Sequence, residues 1–400
     1  MTQNRFDVFF GFSQTNVDGF VPREKDMFRA LFEQVKVADQ EGYGTAWLAE
    51  AHFSIQAQKS LPNAVLTHFD REVGLNTDTL QLAHLLMDRT RSIRIGSAIR
   101  SILVNGGPIA HAESVRSFLA LRDALGEGDR TLELGFAAGR FDFANAAYGV
   151  RPRTELERAL WSRLKSRVFR QAVEIFLRFL RGDCFSSDEL EPISLSLAEI
   201  GEMGVESYPQ VRIEKGRLLF DSFWNFQKSA LVPLEVSLKN LILTMGSHDP
   251  ETQIFANRFL PTRIFNLSIT PPEVIEATHE RMRECFHPDG GSWRRSYLPR
   301  TVMTFVNDDP SLTLEGRRQA AEASCRKALV NYWLAMDGTI SEKKVSEAAE
   351  NALFGTSRDV HEKIRERFHP EDRLMLWFDF NNHDSNDVKR ALREFMKQSQ

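Results

Sequence analysis

The sequence has little of what would place it in a specialised class. Its 400 residues hold only three cysteines, Cys184, Cys285 and Cys325, with neither CxxC nor metal-ligand spacing. A disulfide framework and a cysteine zinc site are thereby excluded, and three free thiols suit a reducing compartment. Excess charge is missing too. The net charge of -4 offers no general attraction to phosphate backbones or acidic lipid, so neither nucleic acid nor a membrane surface is an expected partner. The opening MTQNRFDVFF lacks a basic segment followed by an apolar core, and no later run is long and apolar enough to span a bilayer. A cytoplasmic location is therefore expected. GxGxxG, GxxxxGK(S/T) and HExxH are all absent, which argues against a Rossmann-bound nicotinamide, a P-loop and a zinc peptidase. There is no internal repeat, low-complexity tract or interdomain linker, and one domain over residues 1–400 is expected.

What is present is an alternation. Short runs rich in β-branched and aromatic residues recur at Phe6 to Phe12, Thr45 to Ala49, Ile93 to Ile99, Thr131 to Gly135, Leu241 to Met245, Arg263 to Ile269, Thr301 to Val306 and Leu374 to Phe380. Helical spacing separates them. Met27, Leu31, Val35 and Ala38 close on Gly42, and Leu156, Leu160, Leu164, Val168, Ala172, Ile175 and Phe179 close on Gly182. Pro271-Pro272 opens another helix, and the pattern from Leu312 to Leu353 divides near Asp337-Gly338. Eight strand-helix units with near-continuous apolar strands predict a parallel (β/α)8 barrel of the TIM type. Two segments break the rhythm. Residues 183–239, with a hairpin about Lys215-Gly216, read as an insertion after the fourth strand, and 54–76 as an active-site cover.

Three motifs fall at predicted strand ends, where barrels place their chemistry. The first is Trp47-Leu48-Ala49-Glu50-Ala51-His52-Phe53, whose Glu50 and His52 share one face of an extended end. The plain alternative is a structural hydrogen-bond pair. The second is Gly135-Phe136-Ala137-Ala138-Gly139-Arg140, a glycine-bracketed loop that admits close backbone approach and offers a cation. The third is Met245-Gly246-Ser247-His248-Asp249-Pro250-Glu251-Thr252, a strand-to-helix turn that either binds a phosphate or is an ordinary helix cap. Asn105, His111, Asn381 and Asn382 join Glu50, His52 and Arg140 as expected members of a free polar mouth. Trp293-Arg294-Arg295-Ser296-Tyr297 mixes basic and aromatic groups but reads as a solvated loop. Asn381-Asn382-His383-Asp384 reads as a turn with Asp384 capping the last helix, so no metal site is expected.

In order, WLAEAHF, IRIGSAI, LGFAAGRFDFANAAYGV, TMGSHDPET and FGTSRDVHEKI before RLMLWFDF resemble the bacterial-luciferase-like flavin monooxygenases. The resemblance implies a (β/α)8 barrel, often dimeric, that takes reduced FMN from a separate flavin reductase and uses molecular oxygen to oxygenate a small organic substrate. Glu50, His52 and Phe53 match the family's Glu-His-His-Phe motif, with Ala51 in place of its catalytic first histidine. Ala138 stands where the catalytic luciferase subunit has a phosphate-binding arginine, with Gly139 beside it and Arg140 as the substitute. Ser247 and Thr252 match the phosphate-binding hydroxyls. His52 is then the expected acid or base, oriented by Glu50. The two alanines leave open a noncatalytic flavin-binding or partner subunit, and a deazaflavin is the rival cofactor.

Overall fold

Each of the eight apolar runs forms a strand, and the sequence between them folds as expected into covering helices. The computed structural model describes residues 5–61, 64–126, 130–201, 204–205, 208, 211–266 and 269–397. From the start come β1 (Phe6–Phe10), α1 (Glu24–Gln40), β2 (Thr45–Leu48), α2 (Ile55–Gln58) and α3 (Thr79–Met87). Then follow β3 (Arg94–Ser101), α4 (Gly107–Ala124), β4 (Leu132–Ala137), α5 (Asp142–Ala147) and α6 (Glu155–Arg181). The insertion holds β5 (Ile193–Ser196), α7 (Leu197–Ile200), β6 (Arg212–Glu214) and β7 (Arg217–Phe220). The alternation resumes with β8 (Leu241–Met245), α8 (Pro250–Ala256), β9 (Thr262–Ile264), α9 (Pro272–Cys285) and β10 (Arg300–Val306). Last are α10 (Leu314–Asp337), α11 (Glu342–Glu350), β11 (Leu353–Gly355), α12 (Ser357–Arg367), β12 (Leu374–Trp377) and α13 (Ser385–Lys397). The expected run from Arg263 to Ile269 ends as a strand at Ile264; its residues 267–268 lie outside the described residues.

The large sheet is parallel throughout, in the order β11-β10-β12-β1-β2-β3-β4-β8-β9. Without β11 this is the sequential order of eight barrel strands, and its two ends meet in one parallel bridge between Asn266 and Arg300. Asn266 N donates to Pro299 O at 3.1 Å and Thr301 N to Asn266 O at 3.2 Å. β11 is a ninth strand that the reading of eight omits, because three residues are too short to register as a period. Asn307 N donates to Gly355 O, and residues two apart share an edge of a strand. β11 therefore lies along the same edge of β10 that Asn266 meets lower down.

The insertion is an antiparallel sheet, β5-β7-β6. The expected hairpin is present, with Arg212 opposite Leu219 and Glu214 opposite Arg217; β5 is an additional strand. α6 starts on Thr154, whose hydroxyl accepts from Glu157 N, and ends on Gly182 at φ +99°, which only glycine adopts at little cost. Its Leu160, Val168 and Ile175 share one apolar cluster with Ile193, Leu195 and Leu218 of the insertion and with barrel residues such as Leu134. The Trp293–Tyr297 segment is not the solvated loop expected. Trp293 Nε1 donates to His279 Nδ1 at 3.0 Å, and Arg295 binds Glu276 at 2.7 Å and Asp372 at 2.8 Å.

The barrel interior holds buried charge. Arg373, Asp7 and Glu133 have fully buried side chains. Arg373 Nη2 lies 2.7 Å from Asp7 Oδ2 and donates to Glu133 Oε2 at 2.6 Å. Thr45 Oγ1 donates to Glu133 Oε2 at 2.8 Å, Trp47 Nε1 to Asp7 Oδ2 at 2.8 Å, and Arg263 Nη1 to Glu133 Oε1 at 3.4 Å. Burial by itself raises a carboxyl pKa, and it pushes Asp7 up to about 6 despite Arg373. At Glu133 burial is outweighed by Arg373, Arg94 and Arg263, which hold the carboxyl well below its usual range. Removing the central cation strands two buried carboxylates. Arg373→Met should therefore cost about 3–5 kcal/mol in urea unfolding, and an unfolding midpoint equal to the parent's would refute the assignment.

Candidate active site

The Glu50/His52 end of β2 is fixed by its neighbours in three dimensions. Asn76 Nδ2 donates to Ala49 O and Ala51 N to Asn76 O, both at 2.9 Å, so the chain leaves the strand along the start of α3. Glu50 Oε2 accepts from Thr79 N at 3.1 Å and Thr79 Oγ1 at 2.7 Å. A carboxylate there is favoured by the unpaired amides of a helix start. His52 Nε2 lies 3.2 Å from Glu50 Oε1, with its side chain 10% exposed. Burial raises the Glu50 pKa, but the His52 contact, Arg100 and Thr79 together hold it below the ordinary value. Phe53 follows at φ +63°, half-exposed and in ring contact with Phe143 and Tyr148 at 6.5 and 5.8 Å.

Two further strand ends lie side by side. Phe136 is opposite Met245, and Gly246 N donates to Phe136 O at 2.9 Å, so the Gly135–Arg140 loop adjoins the Gly246–Thr252 turn. Gly139 has φ +81°, and a Cβ there would meet Ser101 Oγ at 2.6 Å; the position accepts no side chain. Ser101 Oγ and Asn145 Nδ2 both donate to Ala138 O, while Asn145 Oδ1 is buried and, among the described residues, has no partner. Arg140 is exposed, lies 5.5 Å from the Phe141 ring and, among the described residues, forms no ion pair. Ser247 is half-buried. Thr252 is only 2% exposed, and both its amide and its hydroxyl donate to Asp249 Oδ2. The start of α8 is thus closed by its own cap, and Thr252 reaches a ligand only when Asp249 releases it.

The expected free mouth needs correction at three positions. His111 is 1% exposed, with Nε2 at 2.9 Å from Val104 O and Nδ1 accepting from Arg100 Nε at 2.6 Å. Asn381 Nδ2 is spent on Ala328 O and Asn382 Nδ2 on Asp387 Oδ2. Asn105 does lie at the surface, at φ +51° in the turn before α4, and Asp384 caps α13 as expected. Sequence reasoning missed Arg100, Asp78 and Thr79. Arg100 did carry a signal: a cation inside an otherwise apolar strand demands buried partners.

Described residues of the 54–76 segment pack against other loops at this end. Ile55 and Phe69 join Phe141, Phe143, Ala335 and Met336 in one apolar cluster, while Gln14 N donates to Glu72 O and Leu75 N to Phe12 O. A 510 Å³ cavity opens at the ends of β10 and β12, among Phe20, Thr304, Lys327, His383 and Arg390. Beside it, Asp379 Oδ1 accepts from Gly11 N at 3.2 Å and extends the β1–β12 ladder. Burial pushes Asp379 up to about 6, against the amides of Gly11 and Phe12. Its folded pKa exceeds the unfolded one, so the stability it contributes is complete below pH about 4 and is lost as pH rises through about 6. Asp379→Asn keeps an acceptor without the charge. Relative to the parent it should gain on the order of 1–2 kcal/mol between pH 5 and pH 8 in denaturant titrations; a pH-independent difference would refute this.

Residues 8–183 match the family model for luciferase-like monooxygenases. No curated protein is similar enough in sequence to count as a match. Among solved structures, monooxygenase RslO1 from Streptomyces bottropensis superposes with a TM-score of 0.66 at 15% identity, covering 98% of each chain. The oxygenating constituent of 3,6-diketocamphane monooxygenase from the CAM plasmid of Pseudomonas putida, in complex with FMN, gives 0.59 at 13% identity over 98% of this chain and 97% of that one. An F420-dependent secondary alcohol dehydrogenase in complex with an F420-acetone adduct gives 0.57 at 12% identity, over 99% and 98%. At such identities the likeness is one of fold. Residues 8–183 thus match the luciferase-like monooxygenase model, and the whole chain shares the fold of these solved oxidoreductases.

Proposed function

We propose that the chain is a flavin-dependent monooxygenase that uses reduced FMN, supplied by a separate flavin reductase, and molecular oxygen to oxygenate a small organic substrate. The observation that carries this reading is the joining of a largely buried imidazole–carboxylate pair, His52 and Glu50, to a neighbouring cradle of family position. The cradle suits the cofactor. Arg140, in no ion pair among the described residues, is able to grip phosphate oxygens with two N–H groups; Ser247 adds a hydroxyl, and Ala138 and Gly139 supply backbone without bulk. The buried, unpaired Asn145 Oδ1 is an acceptor for a ribityl hydroxyl. Thr252 adds a further donor once free of Asp249. Bound there, reduced flavin would activate oxygen for transfer of one atom to the substrate.

The protein's own part is to bind, exclude water and move a proton. Glu50 holds the ring of His52 by one nitrogen, which leaves the other for proton transfer at the mouth. The 54–76 cover, with its apolar underside, keeps solvent from the reacting groups. Arg140→Ala should weaken FMN binding about tenfold to a hundredfold, as expected for a charged hydrogen bond, and Ser247→Ala by less. A parallel titration with a deazaflavin tests the rival cofactor; tighter deazaflavin binding would overturn the FMN assignment. In an assay with FMN, a flavin reductase, NADH and candidate substrates, His52→Ala should lower turnover about 10²–10⁴-fold. Full turnover in that variant would remove His52 from the mechanism.

A second reading rests on Ala51 and Ala138, the two places where family side chains are missing: a noncatalytic flavin-binding subunit. FMN binding with no substrate-dependent oxygen uptake would favour it. We also infer a homodimer, in the cytoplasm, built on α3 and α4. Leu121 and Leu125, four residues apart on one helix face, are 56% and 67% exposed, and Leu85 on the adjacent helix is 44% exposed; water-facing leucines of this kind mark contact surfaces. Sedimentation velocity should give twice the chain mass for the parent and the single mass for Leu121→Glu/Leu125→Glu. A monomeric parent would end this inference.

A further inference from the structure

We infer that Arg100 is a positioning residue: held by His111 and Asp78, it keeps Glu50 an acceptor only, which fixes His52 as the Nε2–H tautomer with Nδ1 as its working nitrogen. The inference rests on reading His52 as the proton-handling group. It starts from β3, an apolar strand whose register shifts between Ser97 and the cation Arg100. Arg100 is 1% exposed. A guanidinium has donors and no acceptor, so its 2.6 Å contact from Nε to His111 Nδ1 requires a lone pair on that nitrogen. His111 must then carry its proton on Nε2, which meets the Val104 carbonyl at 2.9 Å. Burial and then Arg100 push this imidazole down to about 3, so it is neutral, and all its hydrogen-bonding capacity is used.

With its plane set by His111, Arg100 places Nη1 at 3.3 Å from Asp78 Oδ1 and 3.9 Å from Glu50 Oε2. Glu50 has a fully buried side chain, and a buried carboxyl is driven toward its neutral form unless charge and hydrogen bonds oppose it. Here they do: Thr79 gives two donors to Oε2 and Arg100 a nearby positive charge. An ionised carboxylate can only accept, so the 3.2 Å contact at Oε1 is a donation from His52 Nε2–H. The charged or titratable groups around the pair are Asp78 at the cap of α3, Arg100 on β3 and His111 on α4. No other nitrogen of His52 is engaged among the described residues, so Nδ1 is left to take or give a proton.

Two-bond ¹H–¹⁵N correlation spectra of the uniformly ¹⁵N-labelled full chain, without flavin or substrate, read the tautomer directly. The parent should show neutral His52 as a single Nε2–H species. In Arg100→Met, Glu50 loses its cation, takes up a proton and becomes able to donate to Nε2, so the single-tautomer pattern should be lost. Arg100→Lys, which restores a charge, should recover it in large part. Should Arg100→Met fail to fold, Thr79→Val removes the 2.7 Å hydroxyl donor to Glu50 and should move the spectrum the same way. An Nδ1–H parent overturns the proposal. So does an unchanged His52 pattern in the folded Arg100→Met protein or, where that variant does not fold, in Thr79→Val. Because no cofactor enters this measurement, a failed oxygenation assay would leave its outcome standing, and the two readings fall separately.

Discussion

The constraint on which the rest depends is the placing of Arg373 between Asp7 and Glu133 inside the barrel. It joins the first strand, the fourth and the entry to the last in one charge network, with Thr45 of β2 and Arg263 of β9 attached. Strands that would otherwise be held only through adjacent ladders are tied across the ring. Such a network is costly to bury, and its return is specificity: a strand shifted by one residue would turn its charge out of the ring and leave the others unpaired. Trp47 stands at the join, with its indole N–H on Asp7 and the Arg373 guanidinium 5.6 Å from its ring. The same β2 then presents Glu50 three residues later. The position of the Glu50/His52 end is therefore inherited from the ionic interior.

The order of elements was legible in the sequence because it depends on local spacing. Gly42, Gly182 and Gly338 end their helices where the periodic apolar positions stop, all at positive φ, and Pro272 opens α9. β11 was not legible, since three residues on an edge carry too little pattern. The membership of the mouth was only partly so. Glu50 and His52 lie two residues apart and interact directly, but Arg100, Asp78 and His111 come to them from three separate elements. His111 looked free because it follows a strand end closely; nothing in one dimension shows that its helix start folds back beneath the strand.

The turn after β8 carries a related lesson. A serine, an aspartate and a threonine before a helix suit an anion and suit a cap equally well, because both uses draw on the same unpaired amides. The competition is settled by which acceptor is covalently present. Asp249 is, and it takes the amides of Glu251 and Thr252. Arg140 faces no such competitor among the described residues, which makes it the stronger candidate for an anionic ligand although it is displaced by two positions from the family's arginine.

The ninth strand changes the geometry of the opening. Near Arg300 the edge of β10 meets Asn266, two residues beyond the end of β9; near Val306 the same edge is taken by β11, which among the described residues has no ladder to β9. The seam of the ring is therefore covered by different segments at its two levels, and it lies across the ring from β2 and β3. A change at that seam would alter the opening without touching the wall that carries Glu50 and His52.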